Sequence, residues 1–262
     1  MSTEILSCLS WDDNDGCKGL NPLFPKKIRC LVCGPSGSGK TQFVLNMILQ
    51  DWVPFNDLVI VTPSLFQTMY QVLIKGIQNG LPLQWIINIF KEKESIKGSG
   101  LSIDYVIEKL GRDAPTSTRQ VSSYESISEM PQIEDLRPGT LVIFDDLMLD
   151  RNAVKRAEEL FTRGRPMDIN IIFISQSYYE VPRRTIRENC NFLVLFQQNK
   201  KSLESLYRDE AAVDMNKDEF DAFCKDAWRE RHSFLVVDKS SQPAEGKYRI
   251  GVNKFYIPKS YL

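Results

Sequence analysis

The sequence predicts an α/β fold built on a mainly parallel central sheet. Short apolar runs alternate along the chain with longer segments whose apolar residues recur at helical spacing, and this strand-then-helix repetition is typical of parallel sheets. The runs are apolar throughout, as expected for strands that helices cover on both faces. Composition agrees, because 42% hydrophobic and 26% charged residues are ordinary globular values that exclude a disordered chain or a fibre.

The elements follow in chain order. Residues 1–26 are polar and irregular, which predicts an N-terminal arm. Five central strands are predicted at Ile28–Cys33, Leu58–Thr62, Leu141–Phe144, Ile171–Ser175 and Phe192–Phe196. Helices are predicted at Thr41–Leu49, Ser64–Gly76, Ile103–Leu110, Asn152–Thr162, Lys201–Arg208 and Asn216–Arg229. A C-terminal hairpin is predicted from strands at Ser233–Val237 and Tyr248–Val252. We therefore divide the chain into an arm, a core at 27–215 with a variable insertion at 91–128, and a helix-and-hairpin extension at 216–262.

The strongest local signal is GPSGSGKT at residues 34–41, which fits the phosphate-binding pattern G-x-x-x-x-G-K-[ST] at every fixed position. A predicted strand enters this loop and a predicted helix leaves it. Glycines allow the backbone to aim amide groups at a polyphosphate, and the helix N-terminus adds partial positive charge. Lys40 is expected to reach the β- and γ-phosphates, and the Thr41 hydroxyl is expected to bind Mg²⁺. The expected nucleotide-binding residues are Gly34, Pro35, Ser36, Gly37, Ser38, Gly39, Lys40, Thr41 and Gln42.

A pair of acids follows another predicted strand, in LVIFDD at residues 141–146. An acid at the carboxyl end of a parallel strand lies at the edge where open α/β folds bind ligands. Asp145 is therefore expected to hold the Mg²⁺, which prefers oxygen ligands. Asp146 is placed to orient or polarise the attacking water, although a loop acid or a helix cap also explains it.

Two further polar groups follow or precede predicted strands. Gln176 directly follows the predicted strand in IIFISQS and could bond the γ-phosphate or the lytic water through its amide, or could be an ordinary loop residue. Arg163 ends a predicted helix in ELFTRGR and is expected near the nucleotide edge, where it could act as an arginine finger on a neighbouring subunit. A helix-end arginine that only offsets the helix dipole explains the same residue.

The net charge of the chain is −1, but the charges are unevenly distributed and the middle of the chain contains a basic segment. Residues 151–187 contain eight basic and four acidic residues, whereas residues 188–230 contain six basic and ten acidic residues. The basic segment suits contact with a phosphate backbone, and a solvated helix face explains it equally well. Other nucleotide folds fit poorly, apart from a small-molecule kinase, which stays a minor interpretation because the basic cluster at Arg183–Arg187 could imitate its arginine-bearing lid. The nearest string to the guanine-reading N-K-x-D, at 216–219, lacks the acid in the required place, and no protein-kinase HRD or DFG is present.

The order GPSGSGKT, LVIFDD, FTRGR, FISQS and TIRENCNFLVLF resembles the FtsK–HerA group of P-loop ATPases. Within that group it is most similar to the DNA-packaging ATPases of large DNA viruses, of the poxvirus and polinton/adintovirus type, over about residues 28–200. The resemblance implies a P-loop NTPase fold of the ASCE type with strand order 5-1-4-3-2 and helices on both faces. It also implies ATP and Mg²⁺, an oligomeric ring, double-stranded DNA as substrate and a capsid, portal or vertex protein as partner. One departure is Asp146, where many relatives carry Glu, which is one methylene longer.

The sequence-based hypothesis is therefore an ATP-hydrolysing motor that moves double-stranded viral DNA into a capsid. Two alternatives stay open at this point: a DNA helicase or recombination ATPase, and a nucleotide-binding structural protein that does not hydrolyse ATP. No apolar run reaches the ~18 residues that a membrane helix needs. The first residues also lack the basic and apolar regions of a secretion signal. We expect the protein inside the host cell, with association with the virion as a further expectation.

Overall fold

A computed structural model describes residues 21–115 and 118–262. The predicted arm therefore lies largely outside the described residues. Within these described residues, nine strands form a single sheet, and their bounds are β1 Arg29–Cys33, β2 Asp57–Val61, β3 Gln120–Tyr124, β4 Thr140–Asp145, β5 Ile169–Ser175, β6 Phe192–Phe196, β7 Phe234–Asp238, β8 Tyr248–Ile250 and β9 Lys254–Tyr256. The helices are α1 Lys40–Leu49, α2 Thr68–Gln78, α3 Leu83–Lys91, α4 Lys93–Gly98, α5 Ile103–Arg112, α6 Arg151–Arg163, α7 Lys200–Leu206 and α8 Lys217–Ala227.

The sheet runs in the order β3-β2-β4-β5-β1-β6-β7-β8-β9. The first six strands of that order are parallel, and β7, β8 and β9 add antiparallel pairs to the β6 edge. The five strands predicted as the core are β6, β1, β5, β4 and β2, which confirms the order 5-1-4-3-2. The sheet differs from that expectation at its margins, where β3 lengthens one edge and the C-terminal strands lengthen the other.

Helices cover both faces of the sheet, as predicted. Residues of β1 alternate between the two cores, because successive side chains of a strand point to opposite faces. Cys30 and Val32 pack in a core with α1, α2 and α3, whereas Leu31 and Cys33 pack in a core with α6 and α8. Central strands with both faces buried are apolar at most positions, which is the pattern that the sequence shows.

The sequence prediction lacks four of the strands and helices given above, which are β3, α3, α4 and β9. The strand β3 lies within the predicted insertion at 91–128, and its sequence QVSSY is polar because it forms a partly exposed edge strand. The helix α3 has almost no polar residues between Leu83 and Phe90, which hides its helical period, although it buries Leu83, Ile86 and Ile87 at helical spacing. The predicted helix Ile103–Leu110 is confirmed as α5. The division into arm, core and extension stays a prediction.

The predicted C-terminal hairpin is confirmed in its first two strands. Val237 of β7 faces Tyr248 of β8, and a third strand, β9, follows. Because β7 pairs with β6, Phe234 at the start of β7 lies opposite Phe196 at the end of β6. The segment that precedes β7 is therefore brought to the carboxyl edge of the parallel strands, next to the loop that follows β1.

Candidate functional site

The loop between β1 and α1 has the geometry of a phosphate-binding loop. Gly37 and Gly39 have φ angles of 73° and 105°, in the left-handed region that glycine adopts without strain. A Cβ on Gly34 would lie 2.6 Å from the Cβ of Phe196, so the backbone packs directly on the end of β6. Helix α1 begins at Lys40 with no side-chain cap, so its first amide groups point into the loop. These features suit the binding of a polyphosphate anion.

Lys40 spans this loop. Its ammonium group donates hydrogen bonds to the carbonyl oxygens of Gly34 at 2.6 Å and Pro35 at 2.9 Å. Partial burial lowers the pKa of Lys40, and the carboxylate of Asp145 opposes that shift. The cation is therefore fixed above the loop, within the field of the acids that follow β4.

The structure joins the loop to the acid that ends β4. The hydroxyl of Thr41 donates to the carboxylate of Asp145 across 3.1 Å, although the two residues are 104 positions apart. Asp145 is 7% exposed. Burial raises its pKa, the charge of Asp146 adds to the rise, and hydrogen bonds from Tyr70 and Thr41 oppose it. A hydroxyl and a carboxylate held together in this way match the few protein ligands that Mg²⁺ takes when phosphate oxygens and water complete its shell.

The side chains of Asp146 and Gln176 are also in contact, which the sequence did not predict. The amide nitrogen of Gln176 donates to a carboxylate oxygen of Asp146 at 3.3 Å, and both side chains are exposed. Asp146 has a φ of 58°, a left-handed conformation that turns the chain sharply after Asp145. The sharp turn sends the two adjacent carboxylates to different environments, one buried and one open to water.

Tyr70 was not found from the sequence. This tyrosine of α2 is 1% exposed, and its hydroxyl donates to the same oxygen of Asp145 that Thr41 reaches, at 2.5 Å. Burial and then the charge of Asp145 raise the pKa of Tyr70 well above its usual value, so it remains a donor. No sequence signal marks it, because Tyr70 lies 75 residues from Asp145 in an ordinary helical pattern.

The prediction that Arg163 lies near the nucleotide edge is wrong. Helix α6 follows the carboxyl end of β4 and ends before the amino end of β5, so its last residue lies at the opposite edge of the sheet from the loop. A helix of 13 residues spans ~20 Å, which separates the two edges. Arg163 instead forms an exposed ion pair with Glu134 at 2.7 Å. Any role in a nucleotide site would have to be played on a neighbouring molecule.

In the part of the chain that the structure describes, no three or more His, Cys, Asp or Glu residues cluster as a metal site. A cation bound beside the loop would be held by Thr41 and Asp145, which are in contact, together with the phosphates. Cys30 and Cys33 are buried free thiols of β1. Among the described helices, none is both long enough and apolar enough to cross a lipid bilayer.

Comparison with known proteins gives a family and a fold. The family model described as Poxvirus A32 protein matches residues 116–254, more than half of the chain. That range includes Asp145, Asp146 and Gln176 and begins after the phosphate-binding loop. No curated protein sequence matches the chain.

Solved structures that are similar include the genome packaging NTPase B204 from Sulfolobus turreted icosahedral virus 2. Its complex with sulfate is 10% identical, covers 84% of this chain and 94% of B204, and has a TM-score of 0.51. Its complex with AMPPCP is 10% identical, covers 84% and 96%, and has a TM-score of 0.50. VirB4 of Thermoanaerobacter pseudethanolicus is 13% identical, covers 81% and 87%, and has a TM-score of 0.47. The B204 structures share the α/β fold of this chain.

Proposed function

The chain belongs to the Poxvirus A32 protein family, and from that premise we propose that it is an ATPase that moves double-stranded viral DNA into a capsid. The observation that carries the ATPase proposal is the 3.1 Å contact between the Thr41 hydroxyl and the Asp145 carboxylate. This contact brings two motifs recognised separately in the sequence to one edge of the sheet. The similar fold of B204, a genome packaging NTPase with a structure in complex with AMPPCP, supports the same proposal.

We assign the triphosphate to Lys40 and to the backbone of residues 34–42. The ammonium group of Lys40 now bonds two neutral carbonyl oxygens, and phosphate oxygens are stronger acceptors than carbonyls. We therefore expect Lys40 to exchange these bonds for the β- and γ-phosphates. When bound, Mg²⁺ would neutralise charge on those phosphates, and Thr41 and Asp145 are the residues that would hold it.

Asp146 is the residue that we assign to the attacking water. It is exposed, it follows Asp145 directly, and its carboxylate is held by the Gln176 amide. A carboxylate oxygen fixed in this way can orient a water molecule and accept its proton. Gln176 would sense the γ-phosphate through Asp146, because a movement of the Asp146 carboxylate when nucleotide binds changes the hydrogen bond between these two side chains. Arg163 would act only in trans, on the site of a neighbouring subunit in a homo-oligomeric ring.

Exposed basic side chains support contact with DNA. Arg151, Lys155, Arg165 and Arg184 are exposed and form no ion pair with any residue that the structure describes. Such groups can neutralise phosphates of a duplex without reading its sequence. We infer that a capsid, portal or vertex protein anchors the motor, that it works inside the host cell, and that it associates with the virion.

The test is ATP turnover by the purified chain with and without duplex DNA, with Lys40→Ala as the control for contaminating ATPases. We expect duplex DNA to stimulate phosphate release. The moving protein should displace a third strand from a triplex without melting a forked duplex. Melting of the fork would favour a helicase. Absence of turnover under both conditions, with nucleotide binding retained, would favour a structural protein that does not hydrolyse ATP.

A further inference from the structure

A cleft of about 250 Å³ lies beside the phosphate-binding loop, on the side away from Asp145 and Asp146. Its walls are residues 35–38 of the loop, Phe196 and Gln197 at the end of β6, and, in the segment at 228–233 between α8 and β7, Trp228 and residues 230–233. Its volume is just below the ~300–1,000 Å³ of pockets that take whole drug-sized ligands. The cleft is therefore of a size for one ring system with its sugar.

The sheet order sets the direction in which a nucleotide would lie. The loop follows β1, which has β5 and β4 on one side and β6 and β7 on the other. The residues assigned to the γ-phosphate and the metal, Asp145, Asp146 and Gln176, all follow β4 or β5. A nucleotide whose γ-phosphate faces these residues must direct its nucleoside toward β6 and β7. The cleft at 228–233 lies on that side.

The segment at 228–233 is fixed against the loop. His232 Nδ1 lies 3.1 Å from the carbonyl oxygen of Ser38. Because a carbonyl oxygen can only accept, Nδ1 carries the proton and the other ring nitrogen, Nε2, is left as the acceptor of the neutral ring. His232 adopts a φ of 63° to reach this position. Trp228 is held in turn by a hydrogen bond from its indole nitrogen to the carbonyl oxygen of Leu195, at 2.8 Å.

We propose that this cleft binds the base and ribose of the nucleoside triphosphate, with His232 and Trp228 as the aromatic side chains that contact the base. The inference rests on the proposed function, because it requires that residues 34–42 hold the phosphates. Aromatic rings can stack on the face of any nucleobase. The exposed Glu230 and Arg231 also line the cleft and can form hydrogen bonds with the polar atoms at the edge of the base. The parallel core thus supplies the residues that hold the phosphates, and the segment that leads into the antiparallel strand β7 supplies the residues that hold the base.

The test compares two ligands, Mg²⁺–ATP and inorganic tripolyphosphate, on the full chain. His232→Asn is the test variant, because asparagine tolerates a positive φ and removes the ring. Arg229→Ala is the control, since Arg229 is exposed nearby and pairs with Asp226 but does not line the cleft. We expect His232→Asn to weaken ATP binding by about 5- to 100-fold and to leave tripolyphosphate binding unchanged, while the control changes neither.

Photocrosslinking locates the base directly. An 8-azido-ATP probe should label the peptide that contains residues 228–233, as identified by mass spectrometry. Labelling of another segment with tripolyphosphate still bound would overturn this inference and leave the proposed function standing. Equal loss of both ligands in His232→Asn would also overturn it, since the ring would then only support the loop. If neither ligand binds the wild-type chain, the proposed function fails and the inference fails with it.

Discussion

Replacement of Asp146 by asparagine isolates the charge that we assign to catalysis. The residue is exposed and has a φ of 58°, which asparagine tolerates about as well as aspartate. The amide oxygen of asparagine can still accept the 3.3 Å hydrogen bond from Gln176. Surface changes of this kind alter stability by less than about 0.5 kcal/mol. The fold and the geometry should therefore survive, and only the negative charge should be lost.

We expect Asp146→Asn to retain Mg²⁺–ATP binding and to lose hydrolysis by ~100-fold or more, the usual contribution of a positioned general base. A 100-fold loss corresponds to about 2.7 kcal/mol of barrier height. The measurements are steady-state phosphate release, calorimetric titration of nucleotide and a thermal melt. The matched control is Asp150→Asn. Asp150 caps α6 by accepting from the backbone amides of Asn152 and Ala153, and asparagine caps equally well. An unchanged rate in Asp146→Asn would remove Asp146 from the mechanism.

Four further outcomes are expected. Tyr70→Phe deletes a buried hydrogen bond to Asp145 and should lower the free energy of unfolding by about 1.5–3 kcal/mol. The melting temperature should therefore fall by several degrees. The control Tyr105→Phe, at an exposed tyrosine, should melt like wild type. Ser38→Ala removes a buried hydroxyl that has no hydrogen-bond partner among the described residues, so the free energy of unfolding from denaturant titration should rise by about 1–2 kcal/mol; a lower free energy would contradict this. Arg163→Ala mixed with wild-type chain should inhibit turnover more than simple dilution does, and a linear response would exclude a role in trans. Removal of Mg²⁺ with EDTA should abolish phosphate release, and activity that persists would contradict the metal assignment.

Much of the fold could be predicted because its central strands are buried on both faces. Strands such as β1 and β6 are apolar at nearly every position, so their limits are visible in the sequence to within a few residues. The edge strand β3 could not be found in this way, because its residues are polar and, among the described residues, a strand pairs with only one side of it. An edge strand is defined by pairing with a distant segment, which local sequence does not reveal.

The residues of the candidate site likewise fall into those that local sequence reveals and those that only tertiary contacts reveal. Lys40, Thr41 and Asp145 were found because short motifs place them at the ends of predictable strands. The expectation for Arg163 is wrong because a helix that connects two parallel strands ends at the amino edge of the sheet, whereas the phosphate-binding loop lies at the carboxyl edge. His232, like Tyr70, approaches the site only through tertiary contacts, since it follows α8 in the extension and reaches Ser38 from 194 residues away. No local pattern encodes such an approach.

The most direct test of the account is the position of the metal in a crystal of the chain with Mn²⁺ and a non-hydrolysable ATP analogue. Anomalous scattering locates Mn²⁺ independently of the protein density. The account predicts one peak ~2.1 Å from the Thr41 hydroxyl oxygen, adjacent to the Asp145 carboxylate, with the triphosphate along residues 34–42. A metal and triphosphate bound at any other part of the molecule would contradict it.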